Sequence, residues 1–223
     1  VRSTVNTQTF NPSSGITLGS AAGAGQGAGL FLAHTANTGI THTANFDFST
    51  QEGLLYAATP GGTAGIITLS GVLSGTSASG ITRFGDGILS LTGVNTYTGG
   101  TGVSSGTLRV ANTSAIGTGG VNIASGATFE LSNATNLTFA NALSGAGTFR
   151  KTGAGDLTFS NAFSVGSLLV DAGRVRLNAA MTGNATVGAG GILNGVGQVT
   201  GTLTNNGTVA PGNSIGTLNV QGN

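Results

Sequence analysis

The chain has 223 residues, of which 42 are glycine and none is cysteine, and only 6% carry a charge. Seven basic and six acidic side chains give a net charge of +1, so no basic patch exists that could neutralise nucleic-acid phosphates or bind an anionic membrane surface. Disulfides and thiolate metal sites are excluded because there is no cysteine.

Residues 1–65 are the least regular part of the sequence. A run of small residues covers 23–29, and both histidines, His34 and His42, lie here with Asp47 and Glu52. We expect less regular N-terminal coils or a cap over 1–65. The more regular pattern that follows predicts a repeat region over 66–223.

From residue 66 onward the pattern predicts many short β-strands and no amphipathic helix. Apolar and polar residues alternate in triplets, which is typical of a strand with one buried face. Glycine, asparagine and serine separate the triplets, as turns with positive φ require. The triplets are 89–91, 108–110, 129–131, 137–139, 157–159, 175–177 and 218–220.

The spacing of the triplets favours a parallel β-helix. Strands of about three residues are too short for a typical hairpin protein, whereas coils of roughly 20 residues let each strand stack on its equivalent in the next coil. The sequence therefore predicts an all-β solenoid. Alternation along the triplets places Arg109, Glu130, Arg174 and Arg176 on outward-facing positions.

Internal repeats support a stacked architecture. The segment 67–75 recurs at 137–145, the segment 85–93 at 153–161, and the segment 103–110 at 170–177. In each pair the apolar positions persist while the polar ones vary, which is expected of units that bury their faces against their neighbours.

A family resemblance rests on residues 85–101, GDGILSLTGVNTYTGGT, on 103–110, VSSGTLRV, and on 195–220, which contain APGNS at 210–214. These segments resemble the passenger-domain repeats of bacterial autotransporters, the type Va secreted proteins. The resemblance covers residues 66–223. It implies a right-handed parallel β-helix, export across the outer membrane and display on, or release from, the cell surface. Any membrane attachment is expected only through a C-terminal barrel that these residues do not include.

Two patterns could in principle carry catalysis. Residues 102–106 match G-x-S-x-G and would make Ser104 a nucleophile, but no histidine follows and the motif needs a helix. His34, His42, Asp47 and Glu52 could form a metal or acid–base cluster, but their spacing fits no ligand motif. We interpret the first pattern as a turn and the second group as exposed loop residues.

Other charged residues are interpreted as structural. Asp86 and Asp156 lie beside glycines, as in calcium-binding nonapeptide repeats, but two distant copies cannot share an ion. We expect surface ion pairs of Asp156 with Arg174, and of Asp171 with Arg150 and Lys151. The sequence predicts no catalytic residue, metal or cofactor, and it does not locate a ligand-binding site.

The preferred functional hypothesis is a non-catalytic β-helical stalk. Its outward threonine, asparagine and tyrosine side chains would contact a host surface, the matrix or another cell. One alternative is a carbohydrate-active β-helix enzyme, or the stalk of an autotransporter whose enzymatic domain lies elsewhere. Another is a structural repeat of a surface layer or a filamentous secreted protein.

Overall fold

The computed structural model describes residues 2–3, 16–17, 28–34, 39–58, 66–76, 78, 80–212 and 216–222. These residues are strands and turns, with one 3₁₀ turn at Thr113–Ile116. They fall into two compact units, one of residues 1–110 and 114–122 and one of residues 111–113 and 123–223. No helix in the described part is long and apolar enough to cross a membrane. The all-β class is confirmed, and the boundary near residue 65 stays a prediction.

The first unit is built from short strands. They are β1 Arg2–Ser3, β2 Ile16–Thr17, β3 Ala28–His34, β4 Ile40–His42, β5 Phe46–Asp47, β6 Gly53–Ala58, β7 Ile66–Leu69, β8 Leu73–Ser74, β9 Ile81–Phe84, β10 Ile88–Leu91, β11 Thr101–Val103, β12 Thr107–Val110 and β13 Val121–Ile123. These strands form three parallel sheets, ordered β1-β3-β6-β9-β11-β13, β2-β5-β8 and β4-β7-β10-β12.

Register in the first unit gives the length of each coil. Ile67 pairs with Leu89, and Leu89 pairs in turn with Leu108. The preceding step is longer, since Ile40 pairs with Ile67. The coils are therefore close to the predicted length in the repeat region and longer near the N-terminus.

The second unit is built from parallel strands in the same way. These are β14 Thr128–Ser132, β15 Leu137–Phe139, β16 Leu143–Gly145, β17 Thr148–Thr152, β18 Asp156–Phe159, β19 Phe163–Leu177, β20 Ala180–Gly195, β21 Gln198–Val199, β22 Leu203–Asn205, β23 Thr208–Pro211 and β24 Asn219–Val220.

One register row in the second unit shows the stacking. Leu137 pairs with Leu157, Leu157 pairs with Val175, and Val175 pairs with Leu193, so successive coils are nearly equal in length. A parallel β-helix with the predicted coil length is thus confirmed. The similar segments 67–75 and 137–145 do not pair with each other, because each pairs with strands one coil away.

Two strands are much longer than the expected triplets. β19 has 15 residues and β20 has 16, and they pair with register shifts between Ser164 and Ser167 and between Val170 and Ala172. Adjacent coils of nearly equal length keep their hydrogen bonds around the corners, so the strand does not end where the chain bends. The inward residues of the triplets are buried except Leu137, Leu218 and Val220, and the triplets were too short as boundaries of these two strands.

Inward side chains form apolar ladders, and the second unit has an aromatic one. Ring centroids are 5.4 Å apart for Phe129 and Phe149, 5.6 Å for Phe139 and Phe159, and 4.3 Å for Phe159 and Phe163. All five rings are buried. Burial of each contributes about 2 kcal/mol to stability, so stacked rings supply much of this unit's core.

Candidate functional site

Arg83 occupies an inward position in the first unit. It lies in β9 between Leu55 and Val103 of the neighbouring coils, and its side chain is fully buried. Its guanidinium donates hydrogen bonds to the carbonyl of Gly85 at 2.8 Å and to those of Gly87 and Ser105. Because Ser105 belongs to the next coil, this cation joins two successive corners.

In the second unit, Lys151 is likewise a buried cation that joins two successive corners. It lies in β17, and its register partners are Leu131 and Val170. The ammonium donates to the carbonyls of Thr152 at 2.8 Å, Gly153 at 2.7 Å and Ala172 at 3.2 Å. Three acceptors satisfy all three N–H donors of a lysine, and the third acceptor again comes from the next coil.

This geometry corrects one sequence-based expectation. Lys151 was expected in a surface ion pair with Asp171, but it is buried and bonds backbone carbonyls. A signal was present in the sequence, since a basic residue stands two positions before a Gly-x-Gly turn in both copies, at Arg83 and at Lys151. The repeated segments were matched from the glycine onward, which left the basic residue out.

Both corners require a glycine over the cation. Gly106 has φ +60° and Gly173 has φ +68°, which is the left-handed region. A Cβ at Gly173 would lie 2.5 Å from the Gly153 carbonyl oxygen and 2.9 Å from Lys151 Nζ. The close approach of backbone to cation therefore depends on the missing side chain.

Burial sets the acid–base behaviour of the two cations. Desolvation lowers the pKa of Arg83 to about 10, against an opposing contribution from Asp86, and it also lowers the pKa of Lys151. The hydrogen bonds occupy both groups with backbone oxygens. They hold corners together and are not positioned to act on a substrate.

In the corner formed by residues 95–101, buried positions alternate with more exposed ones. Asn95 Oδ1 accepts a hydrogen bond from Leu73 N at 2.8 Å, and its Nδ2 donates to Ala115 O at 2.6 Å. Tyr97 is 2% exposed and its hydroxyl lies 2.7 Å from Thr101 Oγ1. Burial raises the pKa of Tyr97. The expectation of outward tyrosine contacts is wrong for Tyr97.

The N-terminal group of titratable residues is not an array of exposed loop residues. His42 lies in β4, is 4% exposed, and has a pKa lowered by desolvation. Asp47 accepts from the amide of Ser49 at 2.8 Å. The side chain of His34 lies outside the described residues. No group of three or more metal-ligating side chains occurs in the described ranges.

The residues of the G-x-S-x-G pattern form a corner. Ser105 Oγ lies 2.9 Å from both the amide and the carbonyl of Gly85, one coil away. Ser104, the residue at the nucleophile position, is exposed just after the end of β11. This arrangement is a coil-to-coil turn contact and lacks the strand-to-helix elbow of a hydrolase.

Outward charges in the second unit form ion pairs on its surface. Asp156 lies 3.3 Å from Arg174 and 3.7 Å from Arg176, and Arg150 lies 2.6 Å from Asp171. The expected pairs of Asp156 with Arg174 and of Asp171 with Arg150 are present.

Glu130 differs from the expected outward, exposed position. Its side chain is only 5% exposed, and Thr152 Oγ1 donates to it at 3.0 Å. The long side chain of Arg150 in the next coil lies 3.9 Å from its carboxylate. An outward position in a strand is therefore no guarantee of exposure where neighbouring coils carry large side chains.

Comparison with known proteins agrees with the repeat geometry. A family model for the passenger-associated-transport-repeat matches residues 81–110 and 149–194, the two segments that contain the cation corners and the strands after them. A 54-residue part of the chain is 50% identical to the adhesin BmaC autotransporter of Brucella suis biovar 1 (strain 1330).

That match covers 24% of this chain and spans only 2% of the length of the relative. No solved structure matches the chain. The repeats and the stacked parallel coils agree with each other. The chain carries two segments that match the passenger-associated-transport-repeat on a parallel β-helix, and one 54-residue part of it is similar to an autotransporter adhesin.

Proposed function

We propose that the chain is part of an autotransporter passenger domain that is exported to the cell surface or the extracellular space, and that this part is a non-catalytic stalk that presents an adhesive surface. The observation that carries the proposal is that side chains able to take part in catalysis are buried inside the coils. Arg83, Lys151 and Tyr97 are buried and hydrogen-bonded within the coils, and His42 is buried. The outward positions that remain are rich in threonine, serine and asparagine. The adhesin name of the relative supports the same role.

Adhesion of coated beads tests this proposal. Beads carrying the full chain are incubated with cultured host cells and with matrix-coated plates, and beads carrying albumin serve as control. We expect several-fold more bound beads with the chain. Equal binding of both kinds of bead on every surface would contradict the adhesive role.

A second function, carbohydrate hydrolysis, is favoured by one observation. Glu130 and Asp171 both approach Arg150, at 3.9 and 2.6 Å, so two carboxylates share one outer region of the second unit. Glycoside hydrolases use paired carboxylates across the scissile bond. Because the Arg150 guanidinium is paired with both carboxylates, hydrolysis is the second candidate and the stalk is the first.

Release of reducing ends separates the two functions. The chain is incubated with a panel of polysaccharides, and a Glu130→Gln variant is the control. No release above buffer is expected. Release that disappears in Glu130→Gln would replace the stalk proposal with the enzymatic one.

A further inference from the structure

The outer face of β6 and β9 carries aromatic side chains. Leu55 and Ala57 point inward and are fully buried, so Leu54 and Tyr56 point outward by alternation. Register places Tyr56 opposite Phe84 of the next coil. Their ring centroids are 5.1 Å apart at an interplanar angle of 65°, an edge-to-face pair, and both side chains are half-buried.

This aromatic pair differs from the other described aromatic residues in pointing outward. Among the described side chains, every other phenylalanine and tyrosine is buried. Outward positions of other strands hold threonine, as at Thr68, Thr138 and Thr158, or arginine and aliphatic residues, and none of those described holds an aromatic ring. An outward aromatic pair therefore needs a reason other than core packing.

Polar groups surround the rings on the same face. Glu52 accepts a hydrogen bond from Thr82 Oγ1 at 2.5 Å, and Thr82 lies opposite Leu54. In the next coil Gly102 lies opposite Thr82, and Ser104 is exposed. The missing side chain at Gly102 leaves a step next to Thr82, which is bordered by the hydroxyls of Thr82 and Ser104.

The charge next to this face and the area it offers indicate which class of ligand could bind there. Among the described side chains, the charged groups next to this face are Glu52 and Asp86, and both are acidic, which disfavours nucleic acid, anionic lipid and acidic glycans. A stable protein partner needs roughly 800 Å² on each side, far more than the described side chains of Leu54, Tyr56 and Phe84 offer. A sugar ring needs only an aromatic surface for its C–H face and acceptors for its hydroxyls.

We propose that the face formed by Leu54, Tyr56 and Phe84 binds a neutral glycan chain. The rings contact the apolar face of a pyranose, Glu52 accepts hydrogen bonds from its hydroxyls, and Thr82 and Ser104 border the step. This inference rests on the proposed adhesive function, for which it names the class of ligand.

Tyrosine fluorescence gives a direct test, because the chain holds two tyrosines and no tryptophan. The full chain is titrated with neutral six-unit oligosaccharides of glucose, mannose, galactose and N-acetylglucosamine. We expect a saturable change in emission with at least one of them. Affinity falls about tenfold in Phe84→Ser and several-fold in Glu52→Gln. Circular dichroism checks the fold of each variant, and the outward Glu52 provides a substitution that leaves the core intact.

Val94→Ser is the matched control, since Val94 is a 63% exposed apolar side chain elsewhere on the same unit. Its affinity is expected to equal that of the unaltered chain. The proposal is overturned if none of the oligosaccharides binds, if Phe84→Ser and Glu52→Gln bind as well as the unaltered chain, or if dextran sulfate binds more tightly than every neutral glycan.

The bead assay keeps this test separate from that of the proposed function. Beads that adhere equally with and without Phe84→Ser would leave the adhesive role in place and remove this face from it. Beads that do not adhere at all, from a chain that binds a neutral glycan, would remove the adhesive role and retain the glycan site.

Discussion

Lys151 puts a positive charge where the coils on either side place Leu131 and Val170. Its aliphatic stem continues the apolar ladder, and its ammonium reaches carbonyls that face the corner. Arg83 has the same arrangement in the first unit. A buried cation costs desolvation energy, and the bonds to carbonyl oxygens offset that cost.

Lys151→Met is expected to lower the free energy of unfolding by about 1–3 kcal/mol, because the carbonyls of Thr152, Gly153 and Ala172 lose their donor. For a chain of this size, Tm would fall by about 2–4 °C per kcal/mol. Arg150→Gln is the control, since it removes a half-exposed cation worth less than about 1 kcal/mol. A Lys151→Met protein as stable as the unaltered chain would show that the cation is not needed.

His42 makes stability depend on pH. Burial lowers its pKa below the usual 6.5, so the unfolded chain binds the proton more readily than the folded one. Stability conferred by the neutral form is complete above about pH 6.5 and is lost as the pH falls from that value toward the lowered pKa. Tm is expected to drop by a few degrees between pH 7.5 and pH 5.

His42→Leu isolates this contribution, because leucine matches the apolar residue Leu69 with which His42 pairs. Thermal melts of both proteins at the two pH values give the difference. If the variant loses as many degrees on acidification as the unaltered chain, His42 is not the group responsible.

At the scale of the element, the backbone conformation and close packing of a corner limit which residues can occupy it. Gly173→Ala is expected to cost about 3 kcal/mol or more, since a left-handed backbone and a collision with two carbonyls and Lys151 add together. Gly126→Ala is a matched control: Gly126 has φ +80° but no atom within 4 Å of its Cβ position.

The control should cost only about 1–2 kcal/mol, the strain of a left-handed alanine. Urea denaturation of both variants measures the difference. Equal losses would mean that backbone conformation alone requires glycine, and that the fit over the cation contributes nothing.

At the scale of the whole molecule, the buried faces of the solenoid could be derived from the sequence. Leu157-Thr158-Phe159 reads as a strand with two inward residues, and the structure has Leu157 and Phe159 buried. Coil length followed from the spacing of such triplets, because equal coils are what parallel stacking requires.

The interior polar groups could not be derived, although alternation pointed to them. The same rule that puts Phe149 inside puts Lys151 inside, but a rule based on hydrophobicity places a lysine at the surface. Lys151 is stable inside because backbone carbonyls from two coils accept its hydrogen bonds. The sequence does not show that these carbonyls lie close together. The aromatic pair was missed because Tyr56 and Phe84, which are distant in sequence, become neighbours only through register.

Shortening the chain after residue 178 is expected to cause aggregation. β19 would lose β20, its partner along most of its 15 residues, and expose a long row of unpaired backbone groups. Shortening after residue 215 removes only β24 and is the control. Light scattering distinguishes the two, and a monomeric chain ending at residue 178 would contradict this expectation.

Asn95 has a consequence for how the fold comes apart. Its amide group binds Leu73 in the coil before and Ala115 in the coil after, so one side chain belongs to three turns at once. Local unfolding of any one of these three turns breaks at least one hydrogen bond of the Asn95 amide, so we expect the three turns to unfold together. Limited proteolysis is therefore expected to leave the three turns as one resistant fragment.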